Sequence, residues 1–172
     1  GKLTCDYLSQ STSPRQYADK ITRNGQRYNG FNLLLADKQS LVYCSNRARQ
    51  TIELSPGIYT LSNHLLNTPW PKAEHARAEL TALLDQDRLD TEQLLSCLQR
   101  REPYPDEQLP ATGVPQIWER ALSPPFIVTD DYGTRCTTAM LWHDNGNIEM
   151  LEVSYDKNGV EKCRRQYPQA ET

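Results

Sequence analysis

The sequence lacks the features that mark membrane-spanning and nucleic-acid-binding chains. Its longest apolar run, FNLLLA at residues 31–36, is far shorter than the roughly 20 residues that cross a bilayer. The 19 lysines and arginines are outnumbered by 22 acidic residues, which gives a formal net charge of −3. There is therefore no overall basic field of the kind that binds a phosphate backbone. We expect a chain with neither a membrane span nor a nucleic-acid partner.

Signatures of metal sites and disulfide frameworks are also missing. The five cysteines, at positions 5, 44, 97, 136 and 163, are odd in number and form no CxxC pair. His64, His75 and His143 show no ligand spacing. This pattern favours reduced thiols in a cytosol-like compartment, so we predict a cytoplasmic protein without a metal. The first residue is Gly1, and we expect that the chain was processed or that its beginning is missing.

Length and composition predict one ordinary domain. The 172 residues, 37% of them hydrophobic, suffice for one core and little more, so we expect a single domain over residues 1–172. Six prolines fall within residues 102–125, which excludes a sheet centre or a long helix there. We predict a surface connection in this stretch, with one helical turn around residues 117–122.

The first third of the chain predicts a helix followed by short strands. Ser13 ahead of Pro14 is a helix-start signal. Residues 31–36 and 41–44 are typical of a hairpin, and the continuous apolar character of the first run predicts a strand covered on both faces. Two more short strands are expected within residues 51–63, on either side of a Pro-Gly turn.

The remainder predicts a helical hairpin and then a meander. A helix introduced by Thr68 carries an apolar stripe opposite Lys72 and other charged residues. The stripe consists of Ala73, Ala76, Leu80, Leu83 and Leu84. A second helix begins after Asp90, and the turn signals DNGN and DKNG separate three later strands. Strands, helices and strands in this order give an α+β fold with segregated helices.

Small polar residues cluster in the stretch YTLSNHLLNTPW, where a predicted strand ends. Asn63 is the strongest catalytic candidate, because an amide at a sheet rim can donate to a developing oxyanion. Ser62 and His64 beside it are expected to contact the substrate. The alternative is that these residues satisfy backbone groups in a turn and cap a helix, which such residue types do routinely.

The motif YGTRCTT supplies a second group of candidates. Arg135 precedes an apolar strand, where a guanidinium can clamp a carboxylate or hold an active-site acid. The alternative is an ion pair at a strand end. Tyr132 and Thr134 are expected to contact the substrate. Cys136 is expected to be a small, half-buried residue rather than an activated thiolate.

Charged loop residues give two weaker candidates. Arg47 and Arg49, in NRAR at residues 46–49, follow a strand and could meet an anionic substrate, with a solvated loop as the alternative. Asp130 and Asp131 could form a paired-carboxylate site, although loop acids of this kind usually form turns.

The motifs YNGFNLLLAD, SNR, LSPGIYTLSNHLLNTPWPK and YGTRCTT, in this order, resemble the NRDE protein family, the transport and Golgi organization protein homologues. The resemblance implies a fold similar to the N-terminal nucleophile hydrolases, a four-layer αββα sandwich, here lacking its first strands. It implies a cysteine nucleophile directly after the initiator methionine, followed by an Asn-Arg-Asp-Glu signature. Neither is in this sequence, so we expect an N-terminally truncated chain that holds the C-terminal two-thirds of the domain.

The same resemblance assigns roles to two of the candidates. By analogy with cysteine-dependent acylases, Asn63 is implied to be the oxyanion-side amide, and Arg135 the arginine that steadies the surroundings of the nucleophile. The chain departs from its relatives at Glu152, which is followed by Val153 where they often have an arginine. A role for that pair is therefore not carried over.

Three functions remain as hypotheses. The first is an amide or acyl hydrolase without a cofactor, inactive as this fragment because Gly1 cannot be the nucleophile. The second is a carrier of haem, lipid or acyl-CoA, with His64 as the histidine nearest the site. The third is a scaffold in which residues 102–125 bind a partner. The sequence specifies neither the substrate nor the oligomeric state.

Overall fold

The computed structural model describes residues 1–86 and 89–168. Contacts divide the chain into two compact units, Gly1–Leu66 and Asn67–Thr172, and each contains helices and a three-stranded antiparallel sheet. This mixture confirms the α+β class, while the single domain stays a prediction. Within the described residues, no helix is both long enough and apolar enough to span a membrane.

The first unit begins with two helices. Helix α1, Lys2–Leu8, was not expected from the sequence. Helix α2, Pro14–Arg23, begins as predicted, because the hydroxyl of Ser13 accepts a hydrogen bond from the backbone N–H of Gln16 at 3.3 Å and replaces a partner that the first helical turn lacks.

The first sheet consists of strands β1, Asn32–Ala36, β2, Leu41–Ser45, and β3, Gln50–Glu53, in that order. The predicted hairpin is therefore confirmed. The expectation of coverage on both faces is wrong for β1, because Leu34 is 46% exposed while Leu35 is buried. Strand β2 is instead buried on both faces, since its successive residues 42–45 are all buried and neighbouring strand residues point to opposite faces. The core residues are Tyr17, Ala18, Ile21, Leu35, Val42 and Cys44.

The second of the two strands expected within residues 51–63 is absent. The sheet ends beyond Leu54, whose N–H donates to the carbonyl of Leu41 at 2.8 Å. Pro56 has no N–H to donate, and the hydroxyl of Tyr59 turns back to donate to the carbonyl of Ser55 at 2.8 Å. The chain after β3 is therefore a loop that leads to Asn63.

The second unit begins with the predicted pair of helices. Helix α3, Pro71–Leu84, starts with proline in its first turn, after Thr68, which was expected to introduce it. Helix α4, Thr91–Ser96, has a complete capping box. The carboxylate of Asp90 accepts from the N–H of Gln93 at 2.9 Å, and the side chain of Gln93 accepts from the N–H of Asp90 at 3.0 Å. This start confirms the prediction.

The apolar stripe predicted along α3 is mostly not buried. Of its residues only Ala73 is buried, and Leu84 is 51% exposed. Lys72, expected on the solvated side, is instead half-buried. Its ammonium donates to the carbonyl of Leu122 at 2.9 Å and lies 5.5 Å from the ring centroid of Trp70. Burial lowers the pKa of Lys72, because desolvation disfavours the charged amine.

The proline-rich stretch contains two short helical elements, a 3₁₀ turn at Asp106–Gln108 and helix α5, Gln116–Ala121. The latter confirms the helical turn expected near this position. Arg120 forms an ion pair with Asp106, and this hydrogen bond lowers the pKa of the Asp106 carboxyl. The hydroxyl of Ser123 accepts from the N–H of Tyr104 at 3.0 Å, which ties the two ends of the stretch together.

The chain ends in the predicted meander of strands β4, Cys136–Trp142, β5, Ile148–Tyr155, and β6, Glu161–Tyr167. Gly159, in the second turn, has φ of +72°, a conformation that glycine adopts without strain. One face of the sheet packs into the second core, whose buried residues are Leu95, Phe126, Ala139, Leu151, Val153 and Tyr155.

Candidate functional site

An open cleft of about 970 Å³ brings three of the predicted site residues together. Ser62, Asn63 and His64 line it together with Asn32 and Arg47. The side chains of Asn63 and His64 are exposed and Ser62 is half-buried. An amide, a hydroxyl and an imidazole thus border one open space. We call it the asparagine cleft.

Two strand residues hold the loop that carries Asn63. The amide of Asn32 donates to the carbonyl of His64 at 2.7 Å and accepts from the hydroxyl of Tyr43 at 2.7 Å. The same hydroxyl accepts from the N–H of Leu66 at 3.4 Å. Because Tyr43 is only 1% exposed, this chain of bonds anchors the loop to the interior of the sheet.

Asn46 organises the loop that precedes β1. Its amide nitrogen donates to the carbonyls of Gly25, Tyr28 and Asn29 at 3.0, 3.3 and 3.1 Å, and its oxygen accepts from the N–H of Phe31 at 2.8 Å. One side chain therefore satisfies four backbone groups of a loop that forms no ladder. Such a network fixes the loop in one arrangement.

A second cleft in the first unit, of about 630 Å³, is lined by three arginines. Arg23 lies in the last turn of α2, and Arg47 and Arg49 lie in the turn between β2 and β3. Among the described residues, no acidic side chain lines this space. We call it the arginine cleft. Arg47 and Gly30 line both clefts.

Gly30 allows the guanidinium of Arg47 to lie against the backbone. A Cβ atom at position 30 would overlap Nε of Arg47 and lie 2.8 Å from its Cζ. The absence of a side chain at this position therefore determines where the shared guanidinium rests.

The predicted residues of YGTRCTT line a separate, smaller cleft of about 180 Å³ in the second unit, with acidic neighbours. Arg135 precedes β4, as predicted from the sequence, and is exposed. Hydrogen bonds from the N–H groups of Val160 and Asn158, with smaller contributions from Lys162 and Arg135, lower the pKa of Asp156. The positive charge of Arg135 is thus partly matched by an acid in its own cleft.

Thr134 and Tyr132 serve their own loop. The hydroxyl of Thr134 accepts from the N–H of Ile127 at 2.9 Å, and the carbonyl of Tyr132 accepts from the hydroxyl of Thr129 at 2.7 Å. The Tyr132 ring is 56% exposed. Asn63 belongs to the first unit and Arg135 to the second, so their convergence on one site and the substrate contacts of Tyr132 and Thr134 stay predictions.

The cysteines differ in exposure. Cys136 is exposed, which corrects the expected half-burial, because its side chain projects from the face of β4 opposite buried Thr137. Burial raises the pKa of Cys44 to about 11. Within residues 1–86 and 89–168, no group of three or more aspartate, glutamate, histidine or cysteine side chains is arranged so that it could hold a metal ion.

A family model described as Transport and Golgi organisation 2 matches residues 1–157. The chain belongs to this family. Transport and Golgi organization protein 2 homolog of Bos taurus is 32% identical over 171 residues, and the Mus musculus homolog is 31% identical over 173. The Homo sapiens homolog is 28% identical over 168 residues. Each alignment covers 90% of this chain and 61% of the relative, so the chain spans about three fifths of their length.

Membership of the Transport and Golgi organisation 2 family confirms the resemblance found in the motifs. Sequence reasoning missed the residues that hold the site, namely Asn32, Tyr43 and Asn46. Asn32 and Asn46 did carry a signal, since each is an amide flanking an otherwise apolar strand. The backbone groups that these amides bind lie up to 32 positions away in the sequence. A local sequence pattern does not reveal such distant partners.

Proposed function

We propose that the chain is part of an amide or acyl hydrolase of N-terminal nucleophile type, in which Asn63 stabilises the oxyanion. The observation that carries the proposal is the exposed amide of Asn63 on the wall of the asparagine cleft. Its loop is anchored by Asn32 and Tyr43. An amide donor held in place before the reaction needs little reorganisation when charge develops.

In the proposed reaction, the nucleophile is the sulfur of a cysteine that follows the initiator methionine of the full-length protein. Its own α-amino group takes the thiol proton, and the sulfur adds to the substrate carbonyl. Asn63 donates to the resulting oxyanion. The carbonyl re-forms as the amine or alcohol leaves with that proton, and water then hydrolyses the acyl-enzyme.

The four-layer sandwich belongs to the same proposal. Each unit contributes a three-stranded antiparallel sheet with one face packed on a buried core, and a four-layer fold requires two sheets of this kind. Arg135 is proposed to steady the surroundings of the nucleophile, as its paired N–H donors suit a carboxylate or carbonyl. The reduced-thiol pattern of the sequence supports a cytoplasmic location.

The test is hydrolysis of amide and acyl substrates by the full-length protein. Asn63→Ala is expected to lower kcat by about 10²- to 10³-fold, the effect of losing one oxyanion donor. Asn24→Ala is the matched control, because Asn24 is exposed and lines neither cleft. Unchanged kcat in Asn63→Ala would remove Asn63 from the mechanism, and activity retained after Cys→Ala at the N-terminal cysteine would exclude the nucleophile.

A carrier of haem or a lipid is the second candidate. Phe31, Leu61 and Leu65 line the asparagine cleft beside His64, and a haem or acyl chain needs apolar walls with a few polar groups. Haem titration of the full-length protein should then give a saturable Soret shift that weakens in His64→Ala. An identical shift in the variant would count against this cleft as the haem site.

A further inference from the structure

The arginine cleft gathers three basic side chains around one space, and no acidic side chain in the described part of the chain lines it. No ion pair involves Arg23, Arg47 or Arg49 among the described residues. Four other arginines do pair with carboxylates, namely Arg15, Arg77, Arg120 and Arg164. In a chain of net charge −3, acidic partners are plentiful. Three uncompensated guanidinium groups around one concavity therefore form a local positive field within an acidic protein.

The walls of the arginine cleft are fixed by packing and hydrogen bonds. Asn46 satisfies the carbonyls of the loop from Gly25 to Asn29. Gly25 itself is buried, and a Cβ atom there would lie 2.8 Å from Cβ of Asn46. A loop held in this way presents its charged neighbours at fixed positions, which lowers the ordering cost of binding an anion.

The number and type of the charges select the ligand. Arginine presents a planar fork of donors that matches phosphate and carboxylate oxygens in pairs. A carboxylate carries one negative charge, whereas a phosphate monoester carries about 1.5 to 2 at neutral pH. A volume of about 630 Å³ falls within the range of small-molecule sites, about 300–1,000 Å³. Three guanidinium groups therefore suit a phosphate or pyrophosphate group better than a single carboxylate.

We infer that the arginine cleft is a binding site for a phosphate group of a small ligand, held by Arg23, Arg47 and Arg49. Because Arg47 and Gly30 also line the asparagine cleft, the phosphate would lie at its border, and the rest of the ligand can extend towards Asn63. The inference concerns binding alone and holds whether or not Asn63 acts in catalysis.

The experiment is calorimetric titration of the full-length protein with sodium pyrophosphate at low ionic strength. Saturable binding is expected, and Arg47→Gln and Arg49→Gln should each raise Kd by about 10- to 100-fold, as expected for losing a hydrogen bond between two charged groups. Arg27→Gln is the matched control. Arg27 is an exposed arginine near the cleft, but it does not line it. Added salt should weaken binding.

Gly30→Ala separates the position of the guanidinium from its charge. The new methyl group would displace Arg47 and leave the net charge unchanged, so a raised Kd in this variant indicates a site built around that side chain. Arg47→Lys should restore only part of the affinity lost in Arg47→Gln, because lysine lacks the paired donors. Equal Kd in the wild type and Gly30→Ala would contradict the assigned role of Arg47.

Two further arms identify the source of the phosphate and the independence of the site. Co-sedimentation with phosphatidylcholine vesicles containing phosphatidic acid, lost in Arg49→Gln, would assign a lipid headgroup. Pyrophosphate binding without vesicle binding would assign a soluble ligand. Asn63→Ala should bind pyrophosphate normally even where hydrolysis fails. No saturable binding to either probe, or equal weakening in Arg27→Gln, would overturn the inference.

Discussion

The two units of the chain share a scaffold and differ in the charge of their clefts. Each has a three-stranded antiparallel sheet that packs against a buried core. In the first unit, the arginine cleft is lined by Arg23, Arg47 and Arg49 without an acid. In the second, Arg135 and Lys157 share their cleft with Asp130, Asp131 and Asp156.

This difference shows that sheet architecture alone does not determine what a cleft can bind. In the cleft of the second unit, an incoming anion would have to compete with carboxylates already present. In the first unit, no acidic side chain of the described residues lines the arginine cleft beside its three arginines. The ability to attract an anion therefore depends on the helix end and the turn that border the cleft, which lie outside the sheet.

Each core includes a pair of aromatic rings, Tyr7 with Tyr17 in the first and Phe126 with Tyr155 in the second. Phe126 offers the largest expected effect on stability. Phe126 is fully buried, its ring centroid is 4.7 Å from that of Tyr155, and the guanidinium of Arg101 lies 4.3 Å above the ring. Phe126→Ala should lower the free energy of unfolding by about 3–5 kcal/mol, measured by denaturant titration. Ile117→Ala, at a side chain 71% exposed, should change it by about 0.5 kcal/mol or less. Equal effects would contradict the placement of Phe126 in a core.

The first unit depends on Asn46 to hold the loop before β1. Asn46→Ala leaves the carbonyls of Tyr28 and Asn29 and the N–H of Phe31 without their partner, while the carbonyl of Gly25 keeps the N–H of Tyr28. The substitution should lower the free energy of unfolding by about 1–3 kcal/mol. It should also raise the Kd for pyrophosphate. Asn147→Ala is the control, since Asn147 is exposed and lines neither cleft of the first unit. A stable Asn46→Ala variant with wild-type affinity would show that the loop is fixed by other contacts.

The cysteines give a comparison that depends on pH. Burial raises the pKa of Cys44 to about 11 from the usual 9.0. Between pH 9 and pH 11, the thiol is therefore protonated in the folded protein and ionised in the unfolded chain. Its contribution to stability is therefore present below pH 9 and is lost as pH rises through 11. Alkaline unfolding should be less steep in Cys44→Ala. Iodoacetamide at pH 8 should label Cys136 and spare Cys44, and mass spectrometry that finds Cys44 labelled first would contradict its burial.

The smallest expected effect concerns the acid that faces Arg135. The N–H groups of Val160 and Asn158 contribute most to lowering the pKa of Asp156, and the charge of Arg135 contributes less. Arg135→Gln should therefore raise that pKa only slightly, measured by NMR titration of the carboxyl carbon. Arg165→Gln serves as a control for net charge. A pKa that does not respond to Arg135→Gln would mean that the two charges do not share a cleft.

Local chemistry in the sequence predicted much of the fold. Ser13, Asp90 and the glycine turns of the meander act on backbone groups within a few residues of themselves, so their effects can be read directly. The prediction of a strand before Asn63 was wrong. Pro56 cannot donate a hydrogen bond to a neighbouring strand, and the hydroxyl of Tyr59 bonds back to the carbonyl of Ser55, so the segment forms a loop.

The candidate site was predicted less completely than the fold. The sequence predicted the polar loop around Asn63, which the structure places on a cleft. It did not predict Asn32 and Tyr43, whose bonds span 32 and 23 positions, nor the gathering of Arg23 with Arg47 and Arg49. Such groupings depend on how the chain folds in space. A single sequence does not show which distant residues the fold brings together.

The bonds from Asn32 and Tyr43 to the loop at His64 and Leu66 have an engineering consequence. A ladder positions a segment through many repeating main-chain bonds, whereas these bonds depend on the identity of two side chains. Asn32 is half-buried while Tyr43 is 1% exposed, so replacing Asn32 should cost less core packing than replacing Tyr43. Asn32 is therefore the better position at which to alter the support of the Asn63 loop while keeping the fold.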